Sequence, residues 1–187
     1  MHIRQKKWGF VPDYARLDII HKNGGIYLDC DVELVANLDA LLYDKAFCGL
    51  ESAGIVAFGL GFGAVKGYGL LQEMMDCYDE ISFFNQDGSL NLNPAPFYQM
   101  RALKRYAASF PNQLQLINEL RIYPTDVLAP LDFVGNPLAF TQNTYAMHHY
   151  DASWFDEKDA TKRSEMLKRV HDFWTKYSHD ILRREDE

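Results

Sequence analysis

Gly24-Gly25-Ile26-Tyr27-Leu28-Asp29-Cys30-Asp31 is the stretch on which the reading of this chain turns. The two glycines stop whatever precedes them, because glycine accepts the left-handed backbone that helix ends favour. Ile26-Tyr27-Leu28 is then a short apolar run, read as a buried strand, and it opens onto two carboxylates one residue apart. If the chain stays extended through them, alternation places Asp29 and Asp31 on one face with α-carbons about 6.6 Å apart. Two acids at the end of an apolar strand repel each other and lose solvation unless a cation or hydrogen-bond donors compensate. Hard oxygen ligands of this kind suit Mg²⁺ or Mn²⁺. The plainer alternative is a surface turn, since Asp-x-Asp also arises by chance.

Upstream, residues 12–23 read as a helix, with Pro12 suited to its first turn and Tyr14, Leu17 and Ile20 marking the apolar side. Asp13 and Arg16 stand i, i+3 on it, so they share a face with β-carbons about 5–6 Å apart. Such a pair can offer a carboxylate and a guanidinium to hydroxyls and phosphate oxygens. It can equally be a capping aspartate beside a solvated arginine. Downstream, residues 34–42 read as a turn with a short helix, and 46–51 and 55–65 as strands. Gly59, Gly61 and Gly63 alternate in the second strand and leave one of its faces bare for close packing. Residues 70–81 and 97–109 read as helices around a loop at 85–96. Residues 121–123 and 144–149 read as late strands, and 156–182 as a charged amphipathic helix.

The last strand leads into Met147-His148-His149-Tyr150-Asp151-Ala152-Ser153-Trp154. Adjacent histidines on a strand point to opposite faces, so at most one reaches a given site. An imidazole or hydroxyl here can complete a metal shell. A satisfied histidine pair beside a core tryptophan is the alternative.

Composition narrows the classes. The 187 residues are 48% hydrophobic and 24% charged, which fits one folded domain with a real core. A net charge of −7 argues against wrapping duplex nucleic acid, which needs an excess of basic residues. Cys30, Cys48 and Cys77 are an odd number outside any zinc pattern and suit a reducing cytoplasm. The first residues lead into no apolar run of signal-peptide type. The longest weakly polar stretch, 54–65, is too short and glycine-rich to span a bilayer. The expectation is a soluble, cytoplasmic protein of α/β or α+β class.

Taken together, three blocks carry a resemblance: Trp8-Gly9-Phe10-Val11-Pro12-Asp13-Tyr14-Ala15-Arg16-Leu17-Asp18, then Gly24 to Asp31, then His148-His149-Tyr150-x-x-Ser153-Trp154. The chain resembles glycosyltransferase family 32, the DXD-containing sugar transferases of capsular and exopolysaccharide type. The resemblance implies a GT-A type α/β fold, a mixed sheet flanked by helices. It also implies a single catalytic domain over 1–187, with 156–187 as a C-terminal helical segment.

The implied activity is metal-dependent, retaining transfer of a hexose or N-acetylhexosamine. The donor would be a UDP- or GDP-sugar, the acceptor a glycan or lipid-linked glycan, and the cation Mn²⁺ or Mg²⁺. The implied roles follow the matched positions. Asp13 and Arg16 contact the donor sugar, Asp29 the ribose or metal, and Asp31 the metal, while His148 completes its shell and Ser153 and Trp154 lie near the diphosphate. Glu51, after the strand Phe47-Cys48-Gly49-Leu50, is a candidate on the acceptor side.

Two departures stand out: Pro12 replaces the family's usual serine, and relatives carry some tens of residues before the equivalent of Trp8, including a first strand. The alternatives are a catalytically silent, truncated binding protein and a haloacid-dehalogenase-like phosphatase. The phosphatase pattern wants Thr or Val where Glu33 stands. Basic residues among acids in 156–187 leave open a peripheral contact with an anionic inner membrane face.

Overall fold

The structure, a computed structural model, describes residues 10–150 except 52–53, 80, 83, 85–86, 89–90, 92 and 133–135. The expected helix at 156–182, together with Trp8, Ser153 and Trp154, therefore lies outside the described residues.

The first helix, α1 (Phe10–Asn23), starts two residues before the expected 12–23. Pro12 is tolerated because N–H groups of the first turn have no intrahelical acceptor to lose. Its buried residues are Arg16, Leu17 and Ile20, whereas Tyr14 is 38% exposed, so the expected apolar side is shifted toward the arginine. Burying Leu17 and Ile20 contributes roughly 1.5–3 kcal/mol each, which pins the face that also carries Arg16. Gly24 ends the helix at φ +72, its N–H donating to Ile20 O (2.7 Å), and a β-carbon there would strike the Lys66 backbone at 2.9 Å.

Strand β1 (Gly25–Tyr27) and strand β2 (Val32–Leu34) follow, then a 3₁₀ turn at Asp39–Tyr43, β3 (Ala46–Leu50) and β4 (Val56–Ala64). Helices α2 (Gly69–Asp79) and α3 (Ala95–Leu103) precede strands β5 (Gln115–Ile117) and β6 (Leu120–Tyr123). A one-turn helix α4 (Thr125–Leu128) and strand β7 (Ala146–His148) complete the described order. The fold class is α/β, with a mixed five-stranded sheet of order β1-β4-β3-β6-β5 flanked by helices, consistent with a GT-A type core. The β3–β6 pair is parallel and the other three pairs are antiparallel. Consequently β1, β3 and β6 all run the same way and end on the same edge of the sheet.

Several expectations need correction. Strand β1 is half-buried rather than buried, because it lies at the sheet margin of the described residues with one strand neighbour. Strands β2 and β5 and helix α4 escaped the sequence reading: three- and four-residue elements carry too little periodicity to register. Helix α3 ends six residues early, its carboxyl end capped by Lys104 N–H to Met100 O (2.9 Å).

The core gathers Leu17, Leu50, Phe58, Phe62, Leu71 and Met74, each under 2% exposed, between the sheet and helices α1 to α3. Strand β4 is irregular where it matters. Cys48 faces Phe62 while Gly49 faces Ala57, so residues 58–61 form an extended bulge against β3. Bulges bend a strand and re-aim its side chains. The Phe58 N–H, released from the ladder, is taken by the buried Gln99 Oε1 of α3 (3.1 Å).

Candidate functional site

Asp29, Cys30 and Asp31 form a turn between β1 and β2, closed by Val32 N–H to Asp29 O (3.1 Å). The extended geometry expected for the two acids is therefore absent. The turn, not strand alternation, brings their carboxylates to one place, and Cys30 is left exposed between them.

Strand β2 then pairs with β7 in a separate two-stranded ribbon, with Val32 opposite His148 and His149 N–H donating to Asp31 O (2.9 Å). That register selects one histidine. His148 is 8% exposed, and its Nε2 lies 3.3 Å from Asp31 Oδ1 and 3.9 Å from Asp29 Oδ2. His149 turns outward to Glu33 (2.9 Å). One atom each from Asp29, Asp31 and His148 lies within 4.8 Å of the others.

The donor set fits a small divalent cation. Around an ion with ligands near 2.1 Å, neighbouring ligands sit about 3.0 Å apart and opposite ones about 4.2 Å, and the spacings to His148 fall between those limits. One adjustment is implied for the imidazole. Tyr150 N–H donates to His148 Nδ1 (3.2 Å), so in the neutral ring the proton sits on Nε2, facing the carboxylates. Ligation through Nε2 requires that proton to leave and the Tyr150 contact to loosen.

The first aspartate is held from behind. Arg16 Nη1 lies 3.1 Å from Asp29 Oδ1 and 3.3 Å from Oδ2, and its Nη2 bonds Asp13 Oδ1 at 2.9 Å. The Tyr27 hydroxyl donates to Asp29 Oδ1 (2.5 Å), while its ring supports the guanidinium with Arg16 Cζ 4.9 Å from the centroid. Burial pushes the Asp29 carboxyl up. The His148 imidazole, the Arg16 guanidinium and the Tyr27 hydroxyl outweigh that and hold it below the usual range, hence ionised. Burial raises Asp13 to about 6 against the pull of Arg16, with the Asp29 charge adding to the rise. Burial also raises the Tyr27 phenol, reinforced by its hydrogen bond to Asp29.

The bulge in β4 makes room for this arrangement. A β-carbon on Gly59 would stand 2.8 Å from Asp29 Oδ2 and 3.3 Å from Arg16 Nη1, and one on Gly61 would meet Leu28 Cδ2 at 2.9 Å. The bare face read from the alternating glycines is thus the bed on which the acidic turn lies. Gly63 departs from it and faces the Phe47 ring instead.

Of the sequence candidates, Asp13, Arg16, Asp29, Asp31 and His148 come together, and Ser153 and Trp154 lie outside the described residues. Glu51 emerges from β3 on the edge of the sheet where β1 delivers the acidic turn. Sequence reasoning did not assign Tyr27 and Gly59 to the site. Both stood in patterns already noted, the apolar run and the glycine alternation, but neither pattern says what a hydroxyl or a missing side chain faces.

A family model described as the glycosyltransferase sugar-binding region containing DXD motif matches residues 2–48, which spans α1, β1, the acidic turn, β2, the 3₁₀ turn and the first residues of β3. No curated protein and no solved structure matches the chain. The match supports a glycosyltransferase-type sugar-binding domain and, with it, a nucleotide-sugar donor and a divalent cation.

Proposed function

We propose that this chain is a metal-dependent, retaining glycosyltransferase of family 32 type. It would move a hexose or N-acetylhexosamine from a UDP- or GDP-sugar to a glycan or lipid-linked glycan in surface polysaccharide synthesis. The observation that carries the reading is the convergence of Asp29, Asp31 and His148, from two segments far apart in the chain, inside the region matched by the DXD family model and directly opposite it.

Asp31 and His148 would hold Mn²⁺ or Mg²⁺, with Asp29 contributing its Oδ2 or turning to the donor's ribose. When bound, the cation neutralises charge growing on the departing nucleoside diphosphate. Asp13 and Arg16 would bind donor sugar hydroxyls, a reading supported by the packing of their pair against Asp29 from the α1 side. The Arg16–Tyr27 clamp keeps the Asp29 carboxylate oriented before any substrate arrives, so little reorganisation accompanies binding. Ser153 and Trp154 are assigned to the diphosphate on the family resemblance. A carboxylate engaged by a guanidinium and a phenol is a poor nucleophile, which argues against the phosphatase alternative that would phosphorylate Asp29.

The test is release of nucleoside diphosphate from a panel of UDP- and GDP-sugars, with Mn²⁺ and with chelator. The expected result is metal-dependent release that falls at least about a hundredfold in Asp31→Ala. Full activity in that variant would overturn the assignment. Calorimetric silence with every donor at millimolar concentration and Mn²⁺ would favour a chain that no longer transfers sugar.

A further inference from the structure

The geometry points to Glu51 as the residue that binds a hydroxyl of the sugar acceptor, on the side of the site away from Asp13 and Arg16. This rests on the glycosyltransferase reading of the neighbouring cluster. Glu51 directly follows β3, and only 6% of it is exposed. Its Oε2 is buried with no hydrogen-bond partner among the described residues. No ion pair joins it to a basic side chain among those residues either, and burial alone raises its carboxyl to about 8. Such a group destabilises the fold that contains it, since an unpaired buried carboxyl forfeits hydration and gains nothing. A residue with that cost needs a role outside packing.

Its position supplies one. Strands β1 and β3 run in the same direction with β4 between them, standing about 10 Å apart where Tyr27 and Cys48 both face Phe62, so the chain leaves toward Asp29 and toward Glu51 on the same edge of the sheet. In open α/β sheets ligands bind at that edge, beyond the carboxyl ends of parallel strands. The Tyr150 ring packs on His148 with centroids 4.2 Å apart. The acidic turn thus lies at the β1 end of that edge and Glu51 at the β3 end. A protonated carboxyl there donates one hydrogen bond and accepts others, the complement of a sugar hydroxyl.

The experiment compares wild type, Glu51→Gln and Glu51→Ala in two assays. In transfer to a panel of methyl hexosides, Glu51→Ala raises the acceptor KM at least tenfold while the donor KM holds, and Glu51→Gln, which keeps a donor and an acceptor, stays within about threefold of wild type. A matching rise in the donor KM, or no change in either constant, would overturn the assignment. If no donor is turned over by wild type, the glycosyltransferase reading fails by itself. The acceptor site is then judged by saturation-transfer NMR with the same methyl hexosides. A signal in wild type that is lost in Glu51→Ala supports it. Equal signals in both, or none in wild type, refute it.

Discussion

Replacing Glu51 by glutamine should stabilise this protein at neutral pH, by an amount that depends on pH in a defined way. The carboxyl is raised from an ordinary 4.5 to about 8, by burial alone. A group whose folded pKa lies above its unfolded value favours folding most below the unfolded pKa and loses that contribution as pH rises toward the folded value. Between pH 4.5 and 8 the unfolded chain ionises Glu51 while the folded chain keeps it protonated. Each pH unit in that window therefore removes about 1.4 kcal/mol. At pH 5 the loss is below about 1 kcal/mol, and at pH 7 it is about 3 kcal/mol.

Glutamine has nearly the same shape and no charge to lose. Its amide inherits the same orphaned environment, so packing and hydrogen-bonding differences are constant across pH and cancel in the comparison. For a chain of this size 1 kcal/mol corresponds to roughly 2–4 °C in Tm. The Tm of Glu51→Gln minus that of wild type should thus grow by roughly 5–10 °C between pH 5 and pH 7 and level off above pH 8. Scanning calorimetry in matched buffers measures it. A difference that stays flat from pH 5 to pH 8 would show that Glu51 is ionised in the folded state and refute the reasoning from burial.

Two further outcomes follow from the bed and the clamp beneath the acidic turn. Gly59→Ala places a β-carbon 2.8 Å from Asp29 Oδ2, which must retreat by about half an ångström against Arg16 and Tyr27; transfer should fall about tenfold while the fold loses only about 1–3 kcal/mol, measured by kcat/KM beside a denaturant melt. Tyr27→Phe removes the hydroxyl that donates to Asp29 Oδ1 and should weaken donor binding about tenfold, read by calorimetry with the nucleotide sugar and Mn²⁺, with unchanged affinity counting against the clamp.

Much of this was legible in the chain itself. The stop at Gly24, the helix before it, the strands at 46–51 and 55–65 and the helix at 70–81 all rest on local rules: glycine's left-handed freedom, apolar spacing, and strand propensity. Those act within a few residues, and so the order of elements and the α/β class came through. The pairing of Asp13 with Arg16 is equally local, one turn of one helix.

What tertiary structure decided is everything that joins distant segments. Nothing in Val32-Glu33-Leu34 announces a strand, yet its pairing with β7 brings His148 to Asp31 and turns His149 away. The acidic residues meet through a turn where extended alternation was expected, because β2 leaves the main sheet for its own ribbon. Glycine alternation foretold a close approach, but only the bulge in β4 settled that Gly59 lies under Asp29 while Gly63 faces Phe47. The burial of Glu51 has no sequence signature at all. Short-range backbone preferences determine which elements form, whereas register, bulges and burial depend on contacts made only once those elements have packed.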